Sequence, residues 1–329
     1  MAQKEKNSKI TSIGGQALIE GVMMNGPKGV ALSVRNTEGQ IITEMEDYKH
    51  LRDKYKILGV PFIRGVVNFI ESMVTGYKSL MRSAELSGQL EAEESPENMS
   101  KLDRWLNDHM GPKMFSVITT VASVIAMVLC FGLFVYLPSW LVDKVDGKLL
   151  HDALSAVHPL CEGIIRLIIM VIYMVAISKM KDIKRVFMYH GAEHKSIFCY
   201  EKGLPLTVEN IRKCRRFHPR CGTSFIFVVL IISIIVSSVL VVLFPVLNDP
   251  AKRLIWMVIK IFVVLPVVTS VSYEFIRYAG RHDNVLTKIL SAPGLWMQRI
   301  TTSEPDDDMI EVAVASIKAV IDDAPESES

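Results

Sequence analysis

Two stretches of this chain carry no charge over a length that matches the thickness of a lipid bilayer. Met114 to Leu141 and Ser224 to Leu247 are uncharged throughout, and each can cross a hydrocarbon core of roughly 30 Å at about 1.5 Å per residue. A bilayer offers the backbone no water, so such a run must satisfy its own hydrogen bonds as a helix. Two more stretches read as spans although they carry charge: Leu160 to Met180 with Glu162 and Arg166, and Leu254 to Tyr278 with Lys260 and Glu274. A chain that is 50% hydrophobic fits a large enzyme core as well as a membrane protein. The length of these runs decides for a polytopic membrane protein with four transmembrane helices.

The basic residues of the loops set the expected orientation, because Lys and Arg resist translocation. Lys181, Lys184, Arg185, Lys195, Lys202, Arg212, Lys213, Arg215, Arg216 and Arg220 stand between the second and third spans, whereas the other two loops hold only Lys144, Lys148, Lys252 and Arg253. The middle loop is therefore expected in the cytoplasm, with both termini on the same side of the membrane. The first apolar run begins after residue 113 and is too long for the core of a signal peptide. A net charge of +2 gives little support to nucleic-acid binding, and none is expected. Five cysteines, three of them (Cys199, Cys214, Cys221) on the expected cytoplasmic side, argue against a disulfide framework.

The organisation reads as a mostly α chain with eight segments. Residues 1–60 hold a glycine-rich segment and a β-hairpin turning at Asn36 to Gly39, making a small N-terminal α+β unit. Residues 61–113 hold an amphipathic helix (Phe62, Val66, Phe69, Ile70, Met73, Tyr77) and an acidic linker from Gln89 to Ser100. That helix is too polar to span and is expected at the membrane interface or against the spans. The spans cover 114–141, 160–180, 224–247 and 254–278, with a helical loop at 181–223. A C-terminal amphipathic helix within 279–329 is expected to start at Ser303 as N-cap and to bury Ile310, Val314, Ile317 and Ile321.

The chemistry concentrates in the middle loop. In the stretch YHGAEHK, His190, Glu193 and His194 stand at i, i+3 and i+4, so a helix projects all three from one face. His-x-x-Glu-His is the inverted zincin pattern, in which two His hold zinc and the Glu acts as general base. Candidates for the further ligands are Cys214, His218 and Cys221 in the following CRRFHPRC, with Glu201, Glu209 and Glu274 as carboxylate candidates. If His190, His194, His218 and Cys221 all bind, the sphere is closed and structural; if three bind, a position stays open for catalysis. The spacing leaves the number open, and it leaves iron or manganese as alternatives to zinc. Gly191 within the motif marks a close approach of another backbone or a helix-packing contact. Glu162 and Arg166 are expected to pair, Lys260 to snorkel and Pro266 to kink its span. Glu274 is expected to pair with Arg277, with metal ligation as the alternative.

Four stretches, GGQALIEGVMMNGP from Gly14, YHGAEHKSIFCYEKGLPLTVENIRK from Tyr189, HPRCGTSF from His218 and EPDDDMIEVAVASI from Glu304, together resemble the YqhQ-like family of bacterial membrane proteins. Members of that family are labelled metal-dependent enzymes, so the resemblance implies metal dependence and names no substrate. Carried over by motif, it adds Gln16 and Glu20 to His190, Glu193, His194, His218 and Cys221. The glycine-rich segment is then expected either to fold over the histidines and supply Gln16 and Glu20 as a polar surround or to be a turn leading into the hairpin. The leading functional expectation is a membrane metal-dependent hydrolase acting on a lipid-linked molecule or a membrane-protein segment. The alternative is a non-catalytic, zinc-stapled scaffold or membrane-protein biogenesis factor.

Overall fold

A computed structural model describes residues 13–46, 51–89, 112–146, 157–244, 255, 258–279, 282 and 284–321. The acidic linker beyond residue 89, the basic N-terminal residues, Arg281 and the C-terminal tail lie outside the described residues, as do parts of the two short loops. Strands β1 (Gly14–Leu18), β2 (Gly21–Gly26), β3 (Gly29–Arg35) and β4 (Ile41–Glu46) come first. Helices α1 (Ile63–Leu86), α2 (Pro112–Phe131), α3 (Leu137–Val145), α4 (His158–Ile177) and α5 (Lys181–Glu201) follow. Then come α6 (Val208–Arg212), α7 (Gly222–Leu243), α8 (Leu265–Ala279), α9 (Val285–Thr301) and α10 (Asp307–Val320).

Four helical stretches, Thr120–Val145, His158–Ile177, Gly222–Leu243 and Lys260–Ala279, are long and apolar enough to cross a membrane. Their positions agree with the four charge-poor runs. The chain divides into two compact units, Met1–Gly88 with Met174–Val229 and Pro266–Ser329, and Gln89–Tyr173 with Leu230–Leu265.

In the first unit the expected hairpin is β3–β4, turned by Asn36, whose Oδ1 accepts from the N–H groups of Glu38 and Gln40 at 3.1 and 2.8 Å. The side-chain amide thus imitates a backbone turn, and Gly39 supplies φ +82. The glycine-rich stretch before it is itself two strands, so the sheet is antiparallel in the order β1-β2-β3-β4. Alternation then divides the side chains. Leu18, Met23, Val30, Leu32 and Val34 pack with Leu80 and Leu86 of α1. Val22, Met24 and Ala31 join Tyr189, Ala192 and Ile197 of α5 and Ile310, Ala313, Ile317 and Val320 of α10. Covering both faces removes the solvated side that an isolated hairpin would have, and each fully buried large aliphatic contributes about 1.5–3 kcal/mol.

The C-terminal helix begins later than its sequence suggests. Asp306, not Ser303, is the N-cap, and the segment before it is held to α5 by the Ser303 N–H on the Phe187 carbonyl at 2.8 Å. Of the expected stripe, Ile310, Ile317 and Ile321 are buried and Val314 is half-buried.

In the second unit Glu162 and Arg166 pair at 2.7 Å as their spacing requires. Arg166 also donates to the Phe134 carbonyl at 2.8 Å, within the π-helical turn Gly132–Tyr136 that joins α2 to α3. Lys260 faces Glu162 at 3.6 Å, so its charge is met inside the unit. A second π-helical stretch, Lys260–Val264, precedes Pro266, whose missing N–H would break a regular ladder.

Candidate metal centre

Helix α5 runs unbroken through the motif and places His190, Glu193 and His194 on its inner side. The two imidazoles meet with ring centroids 4.4 Å apart. The chain then turns back through α6, and Cys221 arrives immediately before α7, with its N–H on the His218 carbonyl. Among the described residues, His190, His194 and Cys221 form a group whose ligand atoms all lie within 4.8 Å of one another. His190 Nε2 is 3.2 Å from Cys221 Sγ and 3.8 Å from Glu193 Oε2.

Backbone carbonyls orient both histidines. His190 Nδ1 lies 2.9 Å from the Thr301 oxygen and His194 Nδ1 lies 2.5 Å from the Arg216 oxygen. A carbonyl can only accept, so each Nδ1 carries the proton and each Nε2 keeps its lone pair. Metal-ligating histidines are held in this way. The Thr223 hydroxyl is 3.1 Å from Cys221 Sγ. A set of two imidazole nitrogens and one thiolate suits zinc in donor type.

Glu193 is 4% exposed. Burial pushes its carboxyl up to about 7, against the pull of His190 and of a hydrogen bond from the Gly15 N–H on β1. A Cβ on Gly15 would stand 2.9 Å from Glu193 Cγ, so glycine is what lets the strand reach the carboxyl.

His218 stands outside the three-donor group. Its ring centroid is 5.6 Å from that of His194, its Nδ1 accepts from the Arg220 N–H at 3.2 Å, and its Nε2 is 3.7 Å from Glu201 Oε2. Burial lowers its pKa, and the Glu201 carboxylate works in the opposite direction.

The remaining expected residues go elsewhere. Gln16 Nε2 points to the Gly76 carbonyl of α1 at 3.5 Å. Glu20, at φ +50 in the β1–β2 turn, receives a bidentate pair from Arg185 at 2.5 Å and the Tyr189 hydroxyl at 3.2 Å. The glycine-rich segment does cover α5, but through the Gly15 backbone, while Glu20 anchors it to the start of that helix. Glu274 pairs with Arg64 through two hydrogen bonds of 2.6 Å, while Arg277, its expected partner, acts on it only through its charge.

Sequence reasoning missed α9. Gln298 is fully buried and grips the loop before Cys221, accepting from the His218 N–H at 2.7 Å and donating to the His218 carbonyl and the Ser224 hydroxyl at 2.8 Å each. The usable signal was Gly294, where a Cβ would come within 2.6 Å of Ser224. Cys199 and Cys214 are buried in the core behind α5, and hydrogen bonding between them raises the pKa of Cys199. All five cysteines are free thiols.

Comparison with known proteins gives two matches and one absence. The chain is 34% identical over 310 residues to a protein of Bacillus subtilis (strain 168) described as "Uncharacterized protein YqhQ", covering 94% of this chain and 92% of that one. No solved structure matches. The model of the family described as "Protein of unknown function (DUF1385)" matches residues 60–323, and with most of the chain covered by both matches, the protein belongs to the DUF1385 family.

Proposed function

We propose that the protein is a membrane-embedded, zinc-dependent hydrolase whose centre lies at the cytoplasmic edge of the bilayer. The observation that carries the reading is the convergence of His190, His194 and Cys221, with both Nδ1 protons committed to carbonyls and His218 engaged elsewhere. Three protein ligands leave one coordination position for chemistry. Bound zinc would supply Lewis acidity, polarising an electrophile and making hydroxide available near neutral pH.

The residues around it have separable tasks. Glu193, next to His190 and held by Gly15, is positioned to take and return a proton. The Thr301 and Arg216 carbonyls fix the imidazoles, and Gln298 fixes the loop that delivers Cys221. Because α7 starts at Gly222, a substrate at this centre would sit beside the bilayer surface, which suits a lipid-linked molecule or a membrane-protein segment. The basic middle loop supports a cytoplasmic face and cytoplasmic termini.

Deep burial favours a second reading, a zinc staple in a scaffold or biogenesis factor, since His194 is 2% and Cys221 6% exposed. Cobalt substitution separates the two. Azide added to the cobalt-loaded protein shifts the visible spectrum if a coordination position is open. An unchanged spectrum at saturating azide would refute the hydrolase reading and leave the staple.

A further inference from the structure

Helix α1 is built inside out for a helix in water. Its fully buried positions are small or polar, Gly65, Glu71, Gly76, Ser79, Ser83 and Ala84, with Leu80 and Leu86 reaching the sheet only near its C-terminal end. Ile63, Ile70, Val74, Tyr77 and Met81 recur at helical spacing on the opposite side and are exposed, Tyr77 at 65% and Ile70 at 54%. A soluble surface helix turns its aliphatic stripe to the core and its polar stripe to solvent. The inverse arrangement is what a helix needs when its outer solvent is apolar.

The inner side explains why it is small. A Cβ on Gly76 would fall 2.2 Å from Gln16 Oε1, and one on Gly65 would fall 2.8 Å from Ser270 Cα. Arg64 and Asn68 hold Glu274 and Tyr273 of α8, while Phe69 packs on Phe225 of α7 with ring centroids 5.7 Å apart. Both α7 and α8 belong to helical stretches long and apolar enough to cross a membrane. The half of α1 near its N-terminus is therefore fastened side-on to the ends of two spans. Val267 and Val271 of α8 and Ile226 of α7 are likewise exposed, so the outer stripe of α1 continues an apolar surface that the spans already present.

We infer that the outer face of α1 is immersed in the acyl region of one bilayer leaflet, so that this helix lies in the membrane surface as a non-spanning anchor. The occupant is lipid, because the stripe is continuous with the sides of two spans. The inference stands apart from the metal chemistry, since it uses none of the ligand residues. It also has a structural consequence. The sheet whose Gly15 reaches Glu193 rests on the inner side of α1 through Gln16 and Gly76, so the anchor holds the β1 strand against the centre.

The test uses the full chain in vesicles of phosphatidylethanolamine and phosphatidylglycerol. The photoreactive residue benzoylphenylalanine is placed at Ile70 or Tyr77, with Glu38 in the exposed β3–β4 turn as reference. After irradiation, intact mass reports lipid adducts, expected at Ile70 and Tyr77 at a level at least about tenfold above Glu38 if the face lies in the acyl layer. Adduct levels at Ile70 and Tyr77 equal to that at Glu38 would overturn the inference. So would covalent dimers that persist on dilution into excess lipid without lipid adducts, since they would assign the face to a second copy of the chain.

Discussion

Replacing Gly191 by alanine tests the packing of the motif with opposite signs for the two explanations of that glycine. In the interior of an exposed helix, Gly→Ala stabilises by about 1 kcal/mol through the unfolded chain. Here a Cβ would stand 2.0 Å from the Ser303 carbonyl oxygen and 3.4 Å from Pro305 Cδ. The neighbour is backbone, and the same segment is held by the Ser303 N–H on the Phe187 carbonyl at 2.8 Å, so it has no flexible end to move. Overpacking costs about 1–3 kcal/mol and loss of that hydrogen bond about 1 kcal/mol. Set against the helical gain, the net is a destabilisation of about 2 kcal/mol, or about 3 °C in Tm for a chain of 329 residues. Thermal unfolding of purified Gly191→Ala in detergent gives the number. Displacing Ser303 also pulls on Thr301, whose carbonyl orients His190, so zinc affinity should fall about 10-fold or more. A Tm equal to or above that of the wild type would refute the close-approach argument and leave Gly191 as an ordinary helix glycine.

Four further outcomes are expected. His190→Ala, His194→Ala and Cys221→Ser each lose the zinc measured by elemental analysis of protein purified without chelators, whereas His218→Ala keeps it; loss in His218→Ala would mean a four-ligand site. Glu193→Gln keeps zinc and loses turnover, and retained turnover would remove Glu193 from the chemistry. Gln298→Leu leaves the His218 N–H without its side-chain acceptor while the His218 carbonyl keeps the Cys221 N–H, at about 1–3 kcal/mol for the one orphaned buried donor, which a Tm unchanged from wild type would contradict. Glu20→Ala removes the Arg185 pair and the Tyr189 partner; with Arg185 half exposed the cost is about 1 kcal/mol, read as early proteolysis within β1 and β2 in detergent.

The fold was legible where one physical requirement dominated. The length of the apolar runs, two of them charge-free, identified the spans, and the Asn36 turn identified its hairpin. β1 and β2 were not legible as strands, because Gly14, Gly15, Gly21 and Gly26 weaken strand propensity. Their need for glycine is tertiary: Gly15 is pressed against Glu193, and Gly26 against Val320. For α1 the sequence left two placements open, the membrane interface or a seat against the spans. Its periodicity is the same whether the apolar stripe faces a core or a lipid, and only the partners of Gly65 and Gly76 tell the two apart. Ser303 resembles an N-cap in sequence, but the helix starts only at Asp307, and nothing local reveals that the segment before it is tied to Phe187, more than a hundred positions earlier.

The number of ligands was illegible because it depends on where protons sit. His190, His194 and His218 are the same residue type, and the ring of His194 meets that of His190 edge-on and that of His218 at a tilt. A nitrogen binds metal only with a free lone pair. At His190 and His194 a carbonyl demands the proton at Nδ1, which frees Nε2 toward Cys221. At His218 the Arg220 N–H occupies the lone pair of Nδ1, which puts the proton of the neutral ring on Nε2, facing Glu201. Both of its nitrogens are then engaged, and Arg220 also pairs with Glu201, which holds that carboxylate beside it. To become a fourth ligand, His218 would have to exchange its tautomer, give up the Arg220 N–H or turn from Glu201, while Gln298 holds its backbone at both the N–H and the carbonyl. The proposal of three ligands therefore rests on the arginines and on α9, elements that no spacing within His-x-x-Glu-His or His-x-x-Cys encodes.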